Sequence, residues 1–196
     1  MKKERFEWIH SWCDEAESCD LPRVLLIGDS ICYSYQEKVR EKLRGVAYVD
    51  YIATSYSVDS KIYNTLIENF AKNSEYDLIH FHHGTHGFHM SITTYTSKMD
   101  KLLQKLMKNS KVVLCESTKV NLEGNKRPNT AWMKKVYARN GAISSLSEKY
   151  GLKVDPLFAL SDSIHVSHRN EDGWHYLESG AEILAEQVAN VIKENL

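Results

Sequence analysis

Five short apolar runs, each followed by a longer stretch of helical character, constrain this chain more than any other feature of its sequence. They occupy residues 24–27, 46–52, 76–81, 112–115 and 152–154. The first, Val24-Leu25-Leu26-Ile27, is apolar at every position and ends at Gly28. Such a run reads as a strand buried on both faces inside a parallel sheet. The intervening segments suit helices. Residues 34–44 carry Val39 and Leu43 on one face and are closed by Gly45, and residues 61–71 carry Ile62, Leu66, Ile67 and Phe70. Residues 91–108 look helical, 129–150 are anchored by Trp132, Val136, Ile143 and Leu146, and 178–195 show Ala181, Leu184, Val188 and Ile192 about one turn apart. Gly141 interrupts the fourth of these patterns. Phe6, Trp8, Ile9 and Trp12 suggest a preliminary helix over residues 4–17, while residues 116–128 and 155–171 read as irregular connections. Strand-then-helix, repeated five times, argues a doubly wound α/β sheet covered on both faces, in one domain over residues 1–196.

Composition narrows the partners. A formal net charge of −1 offers no basic excess of the kind a nucleic-acid surface gathers. No run approaches the roughly 20 apolar residues of a membrane span. The start, Met1 to Trp8, carries charges where a signal peptide needs an apolar core, so a cytoplasmic protein without membrane or nucleic-acid partners is expected. Cys13, Cys19, Cys32 and Cys115 show no CxxC spacing and read as reduced thiols, with Cys32 a small core residue.

Ser30 follows Gly28 and Asp29 at the carboxyl end of the first strand, where open α/β sheets bind their ligands and where Asp29 or Ser30 can cap the next helix. A serine hydroxyl is a poor nucleophile at neutral pH. It needs an imidazole to take its proton and a carboxylate to hold that imidazole in the right tautomer. Just ahead of the last helix stands Asp172-Gly173-Trp174-His175, a single loop able to present Asp172 to one ring nitrogen of His175 while the other faces Ser30.

Gly-Asp-Ser closing the first strand, Asp-x-x-His opening the last helix and the alternating pattern between them resemble the SGNH hydrolases, also called GDSL esterases and lipases, from about Val24 onward. The resemblance implies a three-layer α/β/α, flavodoxin-like fold with a five-stranded, mostly parallel sheet. It also implies Ser30 as nucleophile, His175 as general base and acid, and Asp172 as the orienting carboxylate. Family members stabilise the oxyanion with the serine N–H, a glycine N–H after the second strand and an asparagine side chain after the third. Ser57-Val58-Asp59-Ser60 resembles the second block with Val58 in the glycine position, and Gly84-Thr85-His86 resembles the third with His86 in place of asparagine. A neutral imidazole donates one hydrogen bond, so Ser30, Val58 and His86 form the expected oxyanion hole.

The expected activity is hydrolysis of a short acyl ester, acetyl foremost, on a small-molecule or carbohydrate substrate through an acyl-serine, with no metal or organic cofactor. The same acyl-serine also serves an acyltransferase. A binding module with a dismantled oxyanion hole is a further alternative, as is a metal-dependent hydrolase built on His82, His83, His86 and His89. Tyr33, Tyr35, Tyr51 and Tyr56 could form a sugar platform or simply pack, and Asn140 and Arg169 could touch a substrate.

Overall fold

The computed structural model describes residues 5–196. Its centre is a six-stranded sheet in the order β1-β3-β2-β4-β5-β6. The strands are β1 (Ile9–Trp12), β2 (Arg23–Gly28), β3 (Tyr48–Thr54), β4 (Leu78–His82), β5 (Lys111–Cys115) and β6 (Lys153–Asp155). Strands β2 to β6 pair in parallel, and only β1 runs antiparallel, along β3. The five parallel strands therefore follow the flavodoxin order, in which the direction of winding reverses between β2 and β4.

Alternation along β2 explains why it is apolar throughout. Val24 and Leu26 enter a core with α1 (Ser30–Lys42) and α6 (Glu178–Asn195), while Leu25 and Ile27 enter a second core with α2 (Lys61–Phe70), α3 (Ile92–Leu106) and α4 (Thr130–Tyr150). Each layer hides one side of the sheet. Fully burying an apolar side chain of this size is worth about 1.5–3 kcal/mol, so both faces of β2 hold the layers to the sheet.

Three expectations are corrected. The sheet has six strands and not five, because residues 9–12 form β1 and not part of a helix over 4–17. All four β1 residues are exposed, and the register Ile9↔Thr54 to Trp12↔Tyr51 fills the open edge of β3. Unpaired N–H and C=O groups along that edge are satisfied by a short strand, whereas an isolated short helix is marginal in water. Ser55 Oγ accepts the Trp8 N–H at 2.8 Å, and Thr54 Oγ1 donates to the Trp8 carbonyl at 2.7 Å. Residue 4 of the expected helix and residues 1–4 of the charged start lie outside the described residues.

The second correction is that α1 begins at Ser30, four residues ahead of its expected start, since the Asp29 carboxylate caps the Ile31 N–H at 2.9 Å. Thirdly, residues 155–171 are not wholly irregular: they hold α5 (Leu157–Ser163) and a 3-10 turn at Val166–His168. Gly141 does not break α4, which ends with left-handed Gly151. Among the described residues no helix is long and apolar enough to cross a membrane.

Candidate active site

A cavity of about 590 Å³ opens at the carboxyl ends of β2 and β4, where the winding reverses. Ser30, Ser57, Thr85, His86, Trp132, Trp174 and His175 are among the residues lining it. Gly28 is required just below: a Cβ there would come within 2.1 Å of Cys32 Cβ, so only glycine lets α1 turn so sharply off the strand. Asp29 and Ser30 then stand at the helix N-terminus, whose partial positive charge favours a developing anion.

His175, on the loop before α6, brings Nε2 to 2.8 Å from Ser30 Oγ, across 145 residues of sequence. Its Nδ1 lies 2.6 Å from Asp172 Oδ2. The other carboxylate oxygen accepts the N–H groups of Trp174 at 2.7 Å and His175 at 2.9 Å. Partial burial pushes the Asp172 carboxyl up, but the His175 side chain and these backbone donors outweigh it and hold the group below the usual carboxylate range. With Asp172 ionised, the proton of neutral His175 is drawn to Nδ1 and Nε2 is left to accept from Ser30.

Arg169 fixes this loop and is not placed to touch a ligand: it is buried and donates to Tyr176 Oη at 2.9 Å, the Lys119 carbonyl at 2.8 Å and the Gly173 carbonyl at 3.2 Å. Asn140 is likewise internal, bonded in both directions to the backbone of Ser117.

The two other loops behave differently. His86 lines the cavity beside Thr85 and Gly87. Val58 does not: its side chain is fully buried and its N–H donates to His83 Nε2 at 3.1 Å, so the structure does not bring this expected donor to the cavity. The apolar side chain of Val58 is drawn into the core with Tyr63 and Ile67. Burial, followed by the charge of Arg139, holds the His83 imidazole well below its ordinary range, which keeps Nε2 an acceptor.

The histidines near β4 go separate ways. His82 is buried 3.9 Å from Asp29, His83 engages Val58, and His89 pairs with Asp59 at 2.9 Å. Among the described residues, the group that could hold an ion is instead His80, Cys115 and Asp155, whose ligand atoms lie within 4.8 Å of one another; none of the three lines the cavity. His80 and Asp155 meet there at 2.9 Å. Cys32 is core, with its thiol pushed up by burial. Of the four tyrosines considered as a platform, only Tyr56 lines the cavity, whereas Tyr35 and Tyr51 are buried and Tyr33 stacks on His10 outside it.

Sequence reasoning missed the aromatic wall. Trp132 and Trp174 meet edge to face at 5.1 Å, Phe88 lies 5.2 Å from Trp132, and Lys135 stands over the Trp132 ring at 4.7 Å. In the sequence Trp132 reads only as a helix anchor, and Trp174, next to His175, is the available signal.

The fold is that of the SGNH hydrolases. No protein-family model matches the sequence, and no curated protein matches it. Among solved structures, a catalytic mutant of the acetylxylan esterase Axe2 from Geobacillus stearothermophilus is similar at a TM-score of 0.72 and 13% identity, over 87% of this chain and 94% of that one. LAE5, an alpha/beta hydrolase enzyme from the metagenome of Lake Arreo, Spain, matches at 0.72 and 13%, over 88% and 95%. A candidate SGNH hydrolase from Slackia heliotrinireducens matches at 0.68 and 14%, over 88% and 100%.

Proposed function

We propose that this protein is a serine esterase that removes a short acyl group, acetyl foremost, from a hydroxyl of a carbohydrate or similar polar substrate. One observation carries the reading: Ser30 Oγ, His175 and Asp172 form a continuous hydrogen-bonded chain of 2.8 and 2.6 Å at the mouth of the cavity. Ser30 Oγ attacks the ester carbonyl while His175 Nε2 takes its proton. The tetrahedral oxyanion is stabilised by the Ser30 N–H and by an imidazole N–H of His86, on a helix N-terminus that favours negative charge. His175 returns the proton to the leaving alcohol. A water molecule, deprotonated by His175, then attacks the acyl-serine, and His175 gives that proton to Ser30 Oγ as the acyl–oxygen bond breaks and the free acid departs.

The aromatic wall and the polar Ser55 and Ser57 suit a ring bearing hydroxyl groups, and the likeness to an acetylxylan esterase supports acetyl as the acyl group. The Asp172 and His175 side chains are 40% and 44% exposed, so water reaches the acyl-serine, which favours hydrolysis over transfer. The test is direct. Ser30 should be labelled by a fluorophosphonate, and Ser30→Ala should lose at least 1,000-fold in kcat on nitrophenyl acetate. Full activity in Ser30→Ala overturns the reading.

A further inference from the structure

We propose that Arg139, supported by Ser117 and Asn140, is a positioning residue that clamps the Gly84–Thr85 peptide and so aims His86 at the oxyanion. This rests on the esterase reading and extends it to residues that never touch substrate.

The Gly84–Thr85 peptide is bonded at both ends. On its carbonyl side, Arg139 Nη1 donates to the Gly84 oxygen at 2.9 Å and Ser117 Oγ donates to the same oxygen at 3.0 Å. Ser117 is itself fixed by the neighbour of Arg139: Asn140 Oδ1 accepts the Ser117 N–H at 2.8 Å, and Asn140 Nδ2 donates to the Ser117 carbonyl at 3.0 Å. On its other side, the Thr85 N–H donates to Asp29 Oδ2 at 3.2 Å. The second oxygen of that carboxylate caps Ile31, the residue after Ser30. One peptide plane therefore ties α4 to the turn that carries the nucleophile, and His86 is the next residue along.

Space enforces the arrangement. Gly84 has φ +70°, and a Cβ there would lie 1.7 Å from Asp29 Oδ2, so the loop can approach the nucleophile turn only as glycine. The guanidinium is locked in turn, with Cζ 4.2 Å from the Phe88 ring and 4.4 Å from the Tyr95 ring. Arg139 is only 3% exposed. Burial disfavours its charge, and a well-packed apolar side chain could hold α4 against α3 without that cost. What an apolar side chain cannot do is hold a carbonyl. A cation on the Gly84 oxygen also polarises the peptide and strengthens the Thr85 bond to Asp29. The same charge helps keep His83 neutral as the acceptor for Val58, so one side chain steadies both loops that flank Ser30.

The test compares Arg139→Gln, Arg139→Lys and Ser117→Ala with the wild type, measuring nitrophenyl acetate hydrolysis across pH together with amide hydrogen exchange over residues 84–89. Arg139→Gln should lower kcat on the order of 100-fold, the usual loss for a displaced oxyanion donor, with KM within about threefold. The pH at which kcat falls off should not move, because His175 and Asp172 are untouched. Arg139→Lys, which keeps the charge but not the planar fork, should fall between the two. Ser117→Ala removes one of two donors from the Gly84 oxygen and should cost about fivefold. Exchange should accelerate over 84–89 and stay unchanged in β2 and β4. A folded Arg139→Gln with near wild-type kcat and exchange overturns the proposal. If that variant does not fold, Ser117→Ala decides in the same way. Esterase activity that survives Ser30→Ala overturns the functional reading instead, while faster exchange over 84–89 would still report the clamp.

Discussion

Replacing Asp172 by asparagine is the sharpest perturbation of the proposed machinery, because it keeps the shape of the side chain and reverses the direction of one hydrogen bond. Asp172 Oδ1 faces two backbone donors, the N–H groups of Trp174 and His175. In Asp172→Asn the amide oxygen must stay there, since an NH2 group would confront two N–H groups. The NH2 is then forced toward His175 Nδ1. A donor at that point makes Nδ1 the acceptor and moves the ring proton to Nε2, so the nitrogen 2.8 Å from Ser30 Oγ can no longer take a proton. In a buried triad the equivalent change costs about 10⁴-fold in kcat. Here the pair is more than one-third exposed, so water competes for both nitrogens and weakens the lock. The expected loss is about 10²–10³-fold, or ~3–4 kcal/mol of transition-state stabilisation. Stability should barely change, since an exposed pair of this kind contributes ~0–1 kcal/mol. The assay is kcat/KM on nitrophenyl acetate beside thermal unfolding of the same preparation. An Asp172→Asn enzyme within tenfold of wild type and equally stable would refute the assignment of Asp172 as the group that sets the His175 tautomer.

Two further outcomes follow from the same geometry. If the His86 ring donates to the oxyanion, His86→Ala should lower kcat about 100-fold with little change in KM, and His86→Gln, which retains an N–H donor, should recover a large part of that; equal activity in the two variants would remove His86 from the hole. The buried neutral His83 should also make stability depend on pH. Below its ordinary value of 6.5 the unfolded chain binds a proton at this site that the folded chain does not, so stability is complete above 6.5 and declines as pH falls toward the depressed folded value. The slope from His83 is about 1.4 kcal/mol per pH unit across that window. Chemical denaturation at pH 7.5, 6 and 5 should show it, and His83→Gln, whose amide oxygen can still accept from Val58, should flatten the curve.

The parts of this molecule that can be read from its sequence are those whose meaning is local. A strand covered on both faces must be apolar at consecutive positions, so β2 and β4 announce themselves, and Gly28-Asp29-Ser30 marks the point where a strand gives way to a capped helix. The Asp172-to-His175 spacing is legible for the same reason, since both residues sit in one short loop. β1 is not legible in this way, because the spacing of Phe6, Trp8, Ile9 and Trp12 is compatible with a helix, and what decides the matter is the unpaired edge of β3, some 40 residues away. Val58 shows the limit more sharply. Its backbone N–H exists whatever the side chain, but the direction it faces is set by His83, a partner 25 residues on.

Arg139 carries no local signal at all, since a basic residue midway along a helix ordinarily faces solvent, and Asn140 suggests a substrate contact and not the brace it forms on Ser117. Their role follows from topology. Because β2 and β4 are adjacent and pair as Ile27↔Phe81, the segments that leave them climb side by side, and Asp29 meets Gly84 a residue or two beyond the sheet. β5 lies next to β4 and delivers Ser117 beside the same carbonyl, while α4 crosses behind and delivers Arg139. The strand order thus gathers a carboxylate, a hydroxyl and a guanidinium around a single peptide next to Ser30. The helix cap at Ser30 and the neighbouring loop share the Asp29 carboxylate, so a shift of one pulls on the other, which ties the position of Ser30 to that of His86.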